Sequence, residues 1–311
     1  PLTKLVIMIR HVSLVLWLCL LTVTQTACAA TPPWQENTVG QYTFTKWAGG
    51  KIDVEYIVPE GANADTKILL VVPGARRNAD DYRDQWLSLA QQHQFIVLAI
   101  GCSLDVCQDE YQYNLGGITT PLGALRPESV QFYNVPEKVF HDFVSRFGSS
   151  QKTFALYGHS AGGGFVHTFM LAKPDAPVSH AVSANAAFFT YPDTNQAYPF
   201  GLANSPYSYS DVDTWLQRPM TIILADQDMG PRTKTISNSP AANKQGRNVF
   251  ARGLAFYATA MNVAVEKEIT PAWQIEVVRG VGHNSTKIVP FAFKYLFPEY
   301  ADVTQGKLSS E

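Results

Sequence analysis

The stretch that most constrains this chain is Tyr157-Gly158-His159-Ser160-Ala161-Gly162, followed by Gly163 and Gly164. Upstream, Thr153-Phe154-Ala155-Leu156 is a short apolar run of the kind that makes a buried strand. Downstream, Phe165 to Ala172 carries apolar residues at helical spacing. Strand, tight Gly-x-Ser-x-Gly turn and helix together form a nucleophile elbow, which lifts a serine above the edge of a sheet. Glycines on either side let strand and helix approach closely, and the helix aims its free N–H groups and dipole at the reacting centre. The bare pattern turns up by chance in about one chain in ten of this length. Its weight therefore comes from the elements around it and from the partners downstream.

Around this turn the chain alternates between strand and helix. Residues 41–45 and 52–58 alternate apolar and polar side chains on either side of Gly49-Gly50, as in an antiparallel hairpin. The runs at 67–72, 95–100, 178–184, 220–225 and 274–278 read as further strands. Helices are expected from Asn78, as N-cap with Asp81 in the first turn, through Ala90. Others are expected from Asn134 and Glu137 through Phe147, from Asn248 to Val263, and from Ser285 to Leu296. The stretches 102–131, 185–218 and 229–246 read as loops. This order predicts a mostly parallel, eight-stranded sheet with helices on both faces, whose functional groups gather at the carboxyl ends of the strands.

Ser160 needs a base. Among the seven histidines, His283 lies in a glycine-rich loop just past the last strand, in Gly280-Val281-Gly282-His283-Asn284. His93, His141 and His167 fall in expected helices and His180 in a strand. His159 adjoins the serine, with a side chain expected to diverge from it. The base in turn needs a carboxylate to fix its tautomer. The strand ending at Ala225 delivers Asp226-Gln227-Asp228, with Asp228 the better placed and Asp226 left to bond loop amides. The chain order Ser160, Asp228, His283 is that of α/β-hydrolases. An oxyanion hole is expected from the N–H of Ala161 and that of Ala75, which follows the strand ending at Val72.

With 311 residues, 46% of them hydrophobic, the chain is long enough for one large domain, expected over residues 31–311. Residues 1–30 have a basic start at Lys4 and Arg10, an apolar core and a small-residue Ala27-Cys28-Ala29 site, so they read as a secretory signal peptide. Cys28 as a lipid anchor is the alternative, which Gln25 disfavours. Processing would leave 22 basic against 26 acidic residues, a charge of about −4 that argues against nucleic acid or an anionic membrane as partner. It would also leave Cys102 and Cys107 as an even pair in an exported, secreted or periplasmic chain, which points to a disulfide. That pair offers too few ligands for a metal.

Together these residues resemble a secreted α/β-hydrolase. Pro73-Gly74-Ala75-Arg76-Arg77-Asn78-Ala79 is similar to the oxyanion segment of the polyhydroxyalkanoate depolymerase, feruloyl esterase and polyester hydrolase group, which often has His-Gly at the place of Pro73-Gly74. The Gly-Gly-Gly motif of hormone-sensitive-lipase relatives is absent. The resemblance implies hydrolysis of small or polymeric carboxylic esters through an acyl-serine, with no metal or organic cofactor. Two other readings stay open: a serine peptidase or amidase on the same fold, and a silent binding module. Arg76 and Arg77 are read either as ligands for a substrate carboxylate or as solvated surface. The aromatics Tyr111, Tyr113, Phe188, Phe189, Tyr191, Tyr198, Tyr207 and Tyr209 either wall an acyl pocket or pack the loops.

Overall fold

A computed structural model describes residues 38–300. The expected signal peptide and the Cys28 alternative lie outside the described residues. Eight strands form one sheet in the order β1-β2-β4-β3-β5-β6-β7-β8. They are β1 (Thr38–Phe44), β2 (Ile52–Val58), β3 (Lys67–Val72), β4 (Phe95–Gly101), β5 (Phe154–His159), β6 (Val178–Ala184), β7 (Met220–Ala225) and β8 (Trp273–Val278). β2 runs antiparallel to both β1 and β4, and every other pairing is parallel. The helices are α1 (Ala79–Asp84), α2 (Leu87–His93), α3 (Val135–Phe147), α4 (Ala161–Ala172), α5 (Asp211–Gln217), α6 (Pro240–Gln245), α7 (Val249–Glu266) and α8 (Ser285–Leu296).

The apolar runs of the central strands exist because both faces are covered. Along β3, Ile68, Leu70 and Val72 enter one core with Phe143 of α3, Phe169 of α4, Trp215 of α5 and Phe256 of α7. Leu69 and Val71 enter the other with Tyr82 of α1, Ala90 of α2 and Ile288 and Phe293 of α8. The period-two alternation thus sorts one continuous apolar strand into two cores.

The expected helix from Asn78 to Ala90 is broken in two. Trp86 stands at the break, fully buried and edge-on to Phe95 and Tyr157 at centroid distances of 6.2 and 5.0 Å. Burying so large a ring outweighs the few backbone hydrogen bonds lost at the interruption. Asn78 does not cap a backbone amide either; its side-chain amide donates to Asp81 Oδ2 at 2.6 Å. Asn134 likewise precedes α3 without a capping bond, whereas Asn248 and Asn284 do cap α7 and α8. The stretches read as loops at 185–218 and 229–246 contain α5 and α6. α6 carries a signal that could have revealed it, Ser239 at N-cap and Pro240 at N1, with Ser239 Oγ accepting from Ala242 N at 3.2 Å.

Candidate active site

The register of the parallel strands brings separate segments to one edge. Val72 pairs with Gly158, His159 with Ala184, and Ala225 with Val278, so the residues just past β3, β5, β7 and β8 emerge side by side. Ser160 stands at the tip of β5 with φ 59° and ψ −118°, a strained backbone for a residue with a side chain. The neighbouring glycines are forced. A Cβ on Gly158 would lie 2.1 Å from Gly162 O, and one on Gly162 would lie 1.9 Å from Val72 O. Ser160 N donates to Ala184 O at 2.9 Å, and the first helical bond runs from Gly164 N to Ser160 O at 3.0 Å. The amide of Ala161 lies ahead of that bond, in the turn whose N–H groups have no acceptor within the helix.

Ser160 Oγ lies 2.8 Å from His283 Nε2, and His283 Nδ1 lies 2.5 Å from Asp228 Oδ2. A carboxylate only accepts, so Nδ1–H donates to it and Nε2 is left as the acceptor facing the serine. The Asp228 side chain is 1% exposed and that of His283 29%. The loop around His283 is anchored where Gln227 N donates to Val281 O at 2.9 Å and where Asn284 Oδ1 accepts from Lys287 N at 3.0 Å. Asp226 turns away from the histidine and accepts from Gly280 N at 2.7 Å. Ala75 and Ala161 line a cleft with Ser160. The turn that presents Ala75 is closed by Arg77 N donating to Gly74 O at 2.9 Å.

Three features here were not read from the sequence. His159 is buried and does not leave the site: its ring lies 4.7 Å, centroid to centroid, from that of His283. Tyr82 Oη lies 3.1 Å from its Nδ1, and Asn185 Nδ2 donates to its Nε2 at 3.3 Å. Burial, aided by His283 and Arg232, holds its pKa well below the usual histidine value, so it is an uncharged ring beside His283. Arg232 Nη2 donates to the second oxygen of Asp228, Oδ1, at 2.8 Å. Arg77 is half-buried and engaged by the protein. Its guanidinium donates to Cys107 O and lies 4.6 Å over the Tyr113 ring, tying the Ala75 turn to the loop after β4. That loop is closed by the disulfide Cys102–Cys107, whose Cα atoms are 5.8 Å apart.

Two clefts meet at Ser160. One of about 230 Å³ is bordered by Glu110, Phe188, Arg232 and Lys234; the other, about 400 Å³, by Arg76, Asn78, Tyr82 and Ser285. Of the loop aromatics, Phe188 borders the first cleft. Tyr113 is buried and donates to Pro73 O at 2.7 Å, Tyr198 donates to Leu115 O at 3.2 Å, and Phe189 stacks on Phe256 at 4.5 Å. These rings pack the loops down. Among the described residues no group of three or more His, Cys, Asp or Glu is placed to hold a metal ion, and no helix is long and apolar enough to cross a membrane.

No protein-family profile matches the chain, and no curated protein does. Solved structures do. Poly(aspartic acid) hydrolase-1 from Sphingomonas sp. KT-1 is 36% identical over 85% of this chain and all of its own, with a TM-score of 0.81. The chain belongs to the esterase and depolymerase group of α/β-hydrolases. A poly(3-hydroxybutyrate) depolymerase from Bordetella parapertussis is 27% identical over 84% of this hydrolase and 91% of its own chain, with a TM-score of 0.79. A siderophore hydrolase from Aspergillus nidulans, 14% identical with a TM-score of 0.53, shares the fold alone. The hydrolase is thus of esterase type, and its fold is the one the sequence led us to expect.

Proposed function

We propose that this hydrolase cleaves carboxylic esters through an acyl-serine intermediate, with Ser160, His283 and Asp228 as its triad. One observation carries the reading: an unbroken hydrogen-bonded chain runs from Ser160 Oγ through His283 to the buried Asp228. Ser160 Oγ attacks the ester carbonyl while His283 Nε2 takes its proton. The negative charge that develops on the carbonyl oxygen is received by the N–H groups of Ala75 and Ala161. The tetrahedral intermediate collapses, the alkoxide leaves with the proton from His283, and the acyl group stays on Ser160. Water, deprotonated by the same imidazole, then releases the acid and frees the serine. Asp228 keeps the proton on Nδ1 and stabilises the imidazolium that each half-reaction forms. The disulfide fits export to an oxidising compartment, secreted or periplasmic, as the N-terminal sequence suggests.

A panel of aryl esters of graded acyl length, assayed with wild type and Ser160→Ala, tests this. Turnover that disappears with the hydroxyl supports it, and turnover that survives in the alanine variant overturns it. A second reading, amide hydrolysis in a carboxylate-rich polymer, is favoured by the 36% identity to a poly(aspartic acid) hydrolase. Arg76 and Lys234 at the rims of the two clefts suit such a substrate. Matched ester and amide substrates of one acyl group separate the two readings.

A further inference from the structure

Asp228 is an almost fully buried carboxylate whose two oxygens have different partners. Oδ2 accepts from His283 Nδ1 at 2.5 Å and Oδ1 from Arg232 Nη2 at 2.8 Å. The two partners differ in charge. A histidine that is to act as a base must rest as neutral imidazole, so it brings a proton to Asp228 but no charge. A buried anion without a counter-charge is costly, and in the resting state Arg232 is the cation in contact with it among the described residues. We propose that Arg232 is a positioning residue of the triad, which keeps Asp228 an oriented carboxylate so that His283 can rest as the uncharged base. This rests on the triad reading given above.

The arm that carries Arg232 is held from both sides. The Arg232 side chain is 17% exposed, and its Nη2 also approaches Gly230 O at 3.4 Å. Farther along, Glu110 Oε2 accepts from Ile236 N at 3.2 Å. The buried Arg252 of α7 donates to Ser237 O at 2.8 Å and to the Asn243 side chain at 2.8 Å. Neither of these contacts reaches Asp228: Glu110 accepts from a backbone amide, and Arg252, which is close enough to repel Arg232, donates to backbone and amide oxygens. The other groups around the pair are accounted for in the same way. His159 is kept neutral by burial, Asp226 is engaged by Gly280 N, and Glu110 and Lys234 border the open cleft. Among the described residues no cation other than Arg232 and His283 pairs with Asp228, and the nearby Arg252 directs its guanidinium to carbonyl and amide oxygens.

Without the guanidinium, the negative charge on Asp228 must be balanced by a proton, held on His283 or on the carboxylate itself. Either place removes the base. The acid limb of kcat/KM in Arg232→Gln should therefore move to higher pH by about one unit, the low end of what a neighbouring charge achieves. At a pH on the original limb this appears as a roughly tenfold loss, recovered at higher pH. Because Arg232 also borders a cleft, the same profile is taken for the labelling rate of Ser160 by a small neutral fluorophosphonate, which makes no use of a substrate subsite. Both profiles should shift together, and Arg232→Lys should bring both back toward wild type. An Arg232→Gln variant whose limb stays in place, with only KM raised or only the melting temperature lowered, overturns the proposal. Should that variant fail to fold, Arg232→Met, which keeps the apolar stem, is read by the same two profiles. Loss of the triad reading looks different: His283→Ala would retain its rate, or wild type would not label at Ser160.

Discussion

Replacing Asp228 by asparagine exchanges one oxygen for an NH2 group, and the geometry dictates which one. Arg232 Nη2 needs an acceptor at the Oδ1 position, 2.8 Å away, so the amide turns its oxygen to the arginine and its NH2 to His283 Nδ1. His283 must then accept at Nδ1 and carry its proton on Nε2, where it meets Ser160 Oγ as a donor. A serine facing a donor has no base. The loss of kcat/KM should be roughly ten-thousandfold, equivalent to about 5.5 kcal/mol of transition-state stabilisation. In an Arg232→Met background the amide is free to turn the other way, so the same substitution should cost measurably less. Asp226→Asn keeps an oxygen for Gly280 N and should cost less than about tenfold. Steady-state kinetics on an aryl ester, with circular dichroism to check folding, reads the wild type, the three single variants and the double variant. A loss below a hundredfold for Asp228→Asn, or a larger loss for Asp226→Asn, would refute the reasoning.

Three further outcomes follow. Gly162→Ala puts a methyl group 1.9 Å from Val72 O and should fail to give folded, active enzyme, as the yield of soluble protein that labels with fluorophosphonate will tell. His167, whose Nδ1 donates to Gly163 O while Nε2 accepts from Thr190 N, is pushed by burial down to about 4. Its folded-state pKa is depressed, so its contribution is present above the unfolded value of 6.5 and is lost as pH falls toward 4, about 3 kcal/mol in all. The urea midpoint should drop across that window, and less so in His167→Gln; an unchanged midpoint contradicts the assignment. Reduction of Cys102–Cys107 opens a short loop worth about 2 kcal/mol, which should lower the melting temperature by roughly 4–8 °C. Because Arg77 holds Cys107 O, reduction should also slow acylation by loosening the Ala75 turn, visible as a lower labelling rate.

Where local pattern decides the outcome, the sequence was a sufficient guide. Strands covered on both faces are apolar throughout, so β3, β4 and β7 stood out, and the elbow announced itself because steric contact with Val72 O and Gly162 O demands glycine at two fixed positions. The loop residues His283 and Asp228 were legible because they directly follow strands, and the parallel register carries strand ends to a common edge. Contacts between distant segments left no such mark. Arg232 sits in a polar stretch with no period, and only the fold reveals that it reaches back to Asp228. The break at Trp86 comes from tertiary packing, which sets its ring edge-on to Phe95 and Tyr157. The His159 ring, expected to diverge from the serine, bonds Tyr82 and Asn185, and only the fold reveals that His283 lies against it. For α5, the spacing of Val212, Trp215 and Leu216 was present, but a single amphipathic turn or two among Tyr, Pro and Asn does not rise above its surroundings.

The central claim is that the acyl group passes through Ser160. Rapid acid quench of the wild-type enzyme with an activated aryl ester, followed by peptide mass spectrometry, tests it most directly. One acyl mass increment is expected on the peptide that contains Ser160. The adduct should form in step with the burst of aryl alcohol, persist longer when deacylation is slowed, and be absent from Ser160→Ala and His283→Ala. A burst with the acyl group on any other residue, or turnover with no adduct at Ser160 at any quench time, would contradict it.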